Sequence, residues 1–408
     1  MMWNVCRIDD LGDINRGKSK HRPRNDARLF GGKYPFIQTG DVKKANLYIT
    51  EFDTTYSEFG LAQSRLWPKD TLCITIAANI AESAILGFDA CFPDSVVGFV
   101  PKKNKADLKF VKYLLDEFKV YMQQISKGTT QDNLSLDKLR RVKFYAPDYD
   151  VQVKIAKVIS AYDDLIENNN RRIKILEQMA ENLHKEWFVR FRFPGYEQAE
   201  FENGIPKGWN ISRLCELGIS LDSGSRPKGG IDSSLKEGVP SLGAEAIQNI
   251  AQFDYSSVKY IPYDYYDKMK RGKFDGNAIF LYKDGAYIGK TTIFRNKFPF
   301  EQFAVNEHVF MIKANNSEYQ NYLYLTLHQE EYFNQMQNLN RNAAQPGLSQ
   351  GDIANIKIDV PSEPVVSLFN EIVDPIYDEI FELAKKNKNL TKQRDMLLPR
   401  LMSGKLEV

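Results

Sequence analysis

With 408 residues, 43% of them hydrophobic and 12% aromatic, the chain is globular and too long for one ordinary core, so two or three domains are expected. A net charge of +2 excludes a globally basic surface, so any nucleic-acid role must rest on local patches. No apolar run approaches ~18 residues, which excludes a membrane helix, and Cys6, Cys73, Cys91 and Cys215 form no CxxC pair, which argues for reduced thiols over a zinc knuckle.

The first segment, 1–148, opens with Trp3-Asn4-Val5 and Leu11-Gly12-Asp13-Ile14. No basic leader precedes an apolar core there, so export is not expected and the cytoplasm is. A basic loop follows, with Lys18, Lys20, His21, Arg22, Arg24 and Arg28. Such cations suit DNA phosphates, and an arginine fork suits guanine. Next come strand-like runs, Tyr34–Ile37, Thr71–Ile76 and Ala84–Phe88, and a helix-like run, Leu108–Ser126. The amide-rich stretch Gly128–Asn133 contains Thr129, Thr130 and Gln131. Amides pair bidentately with adenine, although Gln131 equally suits a role in fixing its own loop.

From 149 to 192 an apolar ladder sets the pattern: Ile155, Ile159, Tyr162, Ile166, Asn169, Ile173, Leu176, Ala180, Leu183 and Trp187. Alternating steps of four and three predict a long helix with a coiled-coil seam. A connector rich in proline and glycine occupies 193–204. The second globular segment, 205–362, restarts with Pro206-Lys207-Gly208-Trp209 and Leu217-Gly218. Ser225, Arg226 and Lys228 lie where the first half has its basic loop. Strand-like runs, Val239–Leu242, Ala278–Tyr282 and Thr291–Phe294, and a helix-like run, Ser317–Leu339, repeat the earlier order. Arg341, Asn342 and Gln345 then stand where the amide-rich stretch stood. The last segment, 363–408, carries a second ladder: Phe369, Val373, Ile376, Ile380, Leu383, Asn387, Leu390, Arg394, Leu397 and Leu401. Pro399 is expected to end or bend this helix, leaving Leu401–Val408 as a tail.

The ladders share one offset of 214 residues, as do Gln131, Leu134, Ser135 and Pro147 with Gln345, Leu348, Ser349 and Pro361. The chain is therefore an internal repeat of α+β class. Two α/β domains are joined by two long helices forming an antiparallel coiled coil with pseudo-two-fold symmetry. In that arrangement Asn169 faces Asn387, which fixes register because a slip leaves an amide unpaired in an apolar layer. It also sets Trp187 near Phe369 and places Arg394 opposite Ile173, its head reaching water. A 40-residue helix spans about 60 Å, longer than a turn of B-DNA at about 34–36 Å.

Catalytic motifs are not evident. Gly285 and Gly289 enclose one residue too few for a phosphate-binding P-loop, and the strand-like Thr291–Phe294 follows where a helix must begin. This is a turn between strands, whose Lys290 is placed to touch a DNA phosphate. His21, His184, His308 and His328 show no metal-ligand spacing to one another, and no nucleophile elbow or dinucleotide fingerprint is present. A coiled-coil adaptor with two protein-binding heads is the rival reading. It predicts binding insensitive to salt.

The duplicated order, with Pro206–Trp209, Gly285…Gly289, Gln345-x-x-Leu348-Ser349…Pro361 and the tail Leu397–Leu406, resembles the specificity subunit of type I restriction–modification enzymes. The resemblance spans essentially the whole chain. It implies two target-recognition domains, each reading half of a bipartite DNA sequence, and a helical spacer docking two methyltransferase (modification) subunits. The chain itself would be non-catalytic and bind no cofactor. S-adenosylmethionine, ATP and magnesium would serve the modification and motor-nuclease subunits. On that reading the flanks of the helices, including Asn168, Arg171, Arg172, Lys385, Lys386 and Lys388, face the partners. Two departures stand out: Trp3 lacks the Pro-x-Gly that precedes Trp209, and Ala78-Asn79-Ile80-Ala81 stands where the second half has its glycine turn.

Overall fold

A computed structural model describes residues 3–127, 134–232, 234–274, 276–285, 287–341 and 347–408. It divides into two compact units, Met1–Glu167 with Asn389–Val408, and Asn168–Lys388. Each long helix thus contributes to both units.

In the first unit, Gly12–Arg16, Val96–Pro101, Leu72–Thr75 and Ser83–Leu86 are hydrogen-bonded in that order, all antiparallel, and Tyr48–Ile49 adds a parallel edge. The second unit repeats the order with Ile219–Ser223, Val309–Ala314, Ala278–Tyr282 and Thr291–Phe294. Leu72–Thr75, Ser83–Leu86 and Thr291–Phe294 are buried at every residue; in the first unit Phe110 and Val111 of one helix pack with Leu72, Ile74 and Ile85 on one face, and Val42 of another packs with Cys73, Ala84 and Leu86 on the other. That is why they read as unbroken runs, not alternating ones. Each unit also joins a short strand ahead of its main sheet to the last strand before a long helix: Asn4–Cys6 to Phe144–Ala146, and Asn210–Arg213 to Lys357–Val360. A second sheet in the second unit takes Val239–Leu242 between Lys259–Ile261 and Phe303–Val305.

The helix-like runs break where a ring is anchored. Leu108–Glu117 and Lys119–Ser126 divide at Phe118, whose ring meets Phe144 at 4.9 Å. Tyr319–Leu327 and Glu330–Arg341 divide near His328, which is tied to Thr291 Oγ1 at 2.9 Å.

The central helix runs Tyr149–His184 and closes in a wider turn, Lys185–Val189; the terminal helix runs Glu363–Met402. Within each unit their segments are antiparallel, and no rung of either ladder is exposed. Asn169 Nδ2 donates to Asn387 Oδ1 at 2.8 Å, and Asn387 Nδ2 donates to Asn170 Oδ1 at 2.8 Å. Trp187 and Phe369 meet with ring centroids 5.7 Å apart.

Two expectations are corrected. Arg394 does not lie opposite Ile173 with its head in water; it pairs with buried Asp163 at 2.5 Å, and Tyr113 hydrogen-bonds the same carboxylate at 2.5 Å. Pairing rung for rung in reverse order brings Arg394 to Tyr162, the neighbour of Asp163. An acid is therefore available, and a hydrated head is unnecessary. Pro399 does not end the terminal helix either. The break costs about 3 kcal/mol, while Leu401 and Met402, 0% and 7% exposed in the first unit's core, each return ~1.5–3 kcal/mol.

Candidate nucleic-acid interface

Both basic loops leave the end of the first sheet strand, and both are seated by a glycine. A Cβ on Gly17 would lie 2.4 Å from the carbonyl oxygens of Phe92 and Pro93; one on Gly224 would lie 1.6 Å from that of Val305. Only glycine permits so close an approach. Gly17 N–H and Lys18 N–H donate to the Val96 and Phe92 carbonyls, which aims the loop outward from the sheet edge. The sequence carries this signal as Arg16-Gly17-Lys18 against Ser223-Gly224-Ser225, and it is legible only once the strands before Gly17 and Gly224 are equated.

In the first loop the cations divide by role. Arg22 Nη1 donates to the Ser19 and His21 carbonyls at 2.7 and 2.8 Å, so it shapes the loop. Arg24 pairs with Asp94 at 3.0 Å, and Arg28 pairs with Asp26 at 2.7 Å. Asp26 also meets His21 Nε2 at 2.8 Å, and hydrogen bonds from Arg28 and then His21 hold its carboxyl well below the usual range. Lys18 and Lys20 are exposed and have no ion-pair partner among the described residues. The loop's unneutralised positive charge is therefore carried by these two ammonium groups and by Arg22, whose carbonyl partners bear no formal charge.

In the second loop Arg226 is held. Its Nε donates to Glu307 Oε1 at 2.6 Å, and Nη2 meets His308 Nε2 at 2.9 Å. His308 Nδ1 in turn meets Asp284 at 2.7 Å. Ser225 Oγ is bonded to Tyr265 OH at 2.9 Å, and Lys228 is exposed. Lys290 lies with Glu245, Asp284, Tyr287 and His308 around a cavity of about 600 Å³, so the structure brings the Arg226 cluster and Lys290 to one surface. Tyr287, 64% exposed on the same turn, offers a ring for stacking or packing. Sequence reading missed Glu307, His308 and Tyr287 because they come from separate turns, and only the sheet assembles them.

Lys290 stands on the expected turn between strands: Gly289 N–H donates to the Tyr282 carbonyl, and Tyr282 N–H donates to that of Lys290. Gly289 has φ +85°, and a Cβ there would meet Met336 Cβ at 2.9 Å. The first unit forms its turn without glycine, with Ala78 and Ala81 at φ 59° and 63°.

Thr129, Thr130, Gln131, Asn342 and Gln345 lie outside the described residues, and Arg341 is described only as the last residue of its helix. The residues after them are anchored alike in both units. Leu134 N–H donates to the Ile76 carbonyl, and Leu348 N–H donates to that of Lys283. Ser135 and Ser349 then cap short helices by accepting from Lys138 N and Asp352 N. The shared Leu-Ser pair is thus a fixing device beside the strand-to-strand turn.

Residues 2–178 and 206–393 match the type I restriction modification DNA specificity domain. The chain is 29% identical to the type I restriction enzyme MjaIX specificity subunit of Methanocaldococcus jannaschii, over 100% of this chain and 94% of that one. It is 23% identical to the HindI specificity subunit of Haemophilus influenzae, over 97% and 98%. The crystal structure of a type I restriction–modification S subunit from M. genitalium shares the fold at a TM-score of 0.59 and 18% identity, covering 98% of this chain and 96% of that chain.

Proposed function

The chain belongs to the type I restriction–modification DNA specificity family, and from that premise we propose that each of its halves reads one part of a bipartite duplex target. Recognition of a DNA sequence is the role of the family, and it displaces the adaptor reading. The observation that carries the bipartite reading is the duplicated seat. In each unit a loop set on a glycine, Gly17 or Gly224, leaves the same edge of the same sheet. Two such seats in one chain suit a target of two parts better than a single continuous one.

Lys18, Lys20 and Lys228 serve phosphates, which position the duplex without reading it. Arg226 with Glu307 and His308 supplies base-edge chemistry: a guanidinium fork for guanine, and a carboxylate acceptor for the cytosine amino group. The long helices carry outward apolar residues, Leu165, Ile175, Met179 and Met396, between 51% and 62% exposed. That composition suits docking of methyltransferase subunits, two of them on a duplicated chain. Methyl transfer from S-adenosylmethionine, and ATP- and magnesium-dependent translocation and cleavage, then belong to partner subunits. This chain contributes no catalytic group.

The test is co-expression with a cognate methyltransferase subunit, followed by sequencing of methylated host DNA. A two-part motif with a fixed gap is expected. Exchanging 205–362 for the same segment of a relative should change one part only. A soluble assembled complex that leaves no motif would overturn the reading.

A further inference from the structure

Among the described residues, one group of metal-ligating side chains lies apart from the recognition loops. Glu177 and Glu181 stand four residues apart on the central helix, so their carboxylates share a face. His328, just after Tyr319–Leu327, faces them, and one ligand atom from each of the three lies within 4.8 Å of the others. Two carboxylates and an imidazole at that separation are a donor set for a divalent cation of the zinc or manganese class; magnesium prefers oxygen donors throughout.

The imidazole is prepared for such a role. Nδ1 is engaged with Thr291 Oγ1 at 2.9 Å, which leaves Nε2 to coordinate. A ligand histidine whose other nitrogen is hydrogen-bonded is held in orientation and tautomer. Burial also lowers the His328 pKa, favouring the neutral ring that a cation requires.

A second observation comes from Tyr324. Its hydroxyl is buried without a hydrogen-bond partner, its residue being 1% exposed, and its ring lies 5.2 Å from that of His328. Burial and then the charges of Glu177 and Glu181 raise its pKa, so the phenol sits in the field of both carboxylates. A cavity of about 360 Å³, lined by Glu181, His184, Lys185 and His328 among others, opens beside the group and leaves room for water on a cation.

Nearby polar groups also act on the cluster, Gln178 Nε2 donating to Glu181 at 3.5 Å. Lys185 is 4.0 Å from Glu181, and Lys174 and Lys290 act on Glu177 and His328 respectively. Even with Lys174 acting on it, Glu177 is pushed up to about 7 by burial and by Glu181. Two carboxylates sharing one site repel each other, and a divalent cation held between them would relieve that repulsion.

We propose that Glu177, Glu181 and His328 bind a divalent transition cation, with its remaining positions open to water. The cation fastens the end of Tyr319–Leu327 to the central helix within one unit. Through Thr291 it also steadies the strand that begins after Lys290, so occupancy stiffens one wall of the candidate DNA surface.

The experiment uses the untagged full-length chain, stripped with chelator and titrated calorimetrically with zinc chloride and, separately, manganese chloride. Saturable binding of at least one cation is expected, with a rise in the thermal midpoint. Glu177→Gln, Glu181→Gln and His328→Ala should each weaken it at least ~10-fold, while His21→Ala and His308→Ala leave it unchanged. Absence of saturable binding by both cations, or unweakened binding in Glu177→Gln and Glu181→Gln, overturns the proposal. Those two near-isosteric changes on a helix keep the test decisive if His328→Ala fails to fold.

Discussion

Gly17 and Gly224 show how one atom governs a recognition loop. A methyl group at either position would collide with backbone carbonyl oxygens that are held in place, Phe92 and Pro93 by accepting from Lys18 N–H and Val96 N–H, and Val305 by its sheet pairing. Gly17→Ala and Gly224→Ala are each expected to destabilise their own unit by on the order of 2–4 kcal/mol. In an assembled complex each should abolish reading of one half-target; denaturant unfolding and the methylated motif measure the two effects. Ala78 is the converse, an exposed residue held at φ 59°. Ala78→Gly should stabilise the chain by about 0.5–1 kcal/mol, relief of left-handed strain outweighing the added freedom of the unfolded chain.

His184 is a residue whose burial writes a pH dependence into the fold. It is 2% exposed and bonded to Thr326 Oγ1 at 3.0 Å, and burial, with Lys185, lowers its pKa to about 3. The unfolded chain takes up its proton near the ordinary value of ~6.5, whereas the folded chain resists until about 3. The stability held above ~6.5 is therefore lost progressively as pH falls toward 3, by up to a few kcal/mol. Thermal midpoints between pH 7 and 4.5 should fall in the wild type and fall less in His184→Phe; equal slopes would sink the assignment.

At the scale of the element, the paired helices are specified by their few polar rungs. Asn169→Leu alone removes the donor to Asn387 Oδ1, leaving that side chain held only through Asn170, and should cost ~1–3 kcal/mol. The double change Asn169→Leu with Asn387→Leu should recover that stability while weakening control of register. A double-mutant cycle by chemical denaturation measures the coupling; additive costs would mean that the asparagines act separately. Arg394→Met should be harsher, about 3–5 kcal/mol, because Asp163 is 5% exposed and loses its partner charge.

At the scale of the whole molecule, nearly equal numbers of basic and acidic residues leave no long-range attraction for DNA. Affinity must come from local cations, and many of those in the loops are already paired. Lys18→Ala, Lys20→Ala and Lys228→Ala should each lower the slope of log affinity against log salt by about 1, without altering the preferred sequence. Arg226→Ala should instead relax the preference in one half-target, at about 1–3 kcal/mol. An assembled complex whose affinity ignores salt would contradict the first, and an unchanged motif in Arg226→Ala would contradict the second.

Much of this protein was legible in order alone. The ladders show period and offset because a seam residue must be apolar wherever two helices meet, and the facing asparagines follow from reversing one ladder on the other. The duplicated Leu-Ser motif and the strand turn at Gly289 were equally local. What sequence could not deliver were contacts between distant residues that no repeated pattern marks. Ile173 is the wrong rung for Arg394, since strict reversal of the ladder gives Tyr162, and its acid, Asp163, lies just off the seam, where periodicity assigns no partner. Pro399 signals an end or a bend, and the helix nevertheless runs on to Met402, because local propensity contains no term for the core that holds Leu401. The pairing of Arg226 with Glu307 and His308, and the meeting of Glu177, Glu181 and His328, arise where strands and helices from separate segments pack together. Chemistry built from single residues on different elements carries no spacing signal, so tertiary structure alone decides it.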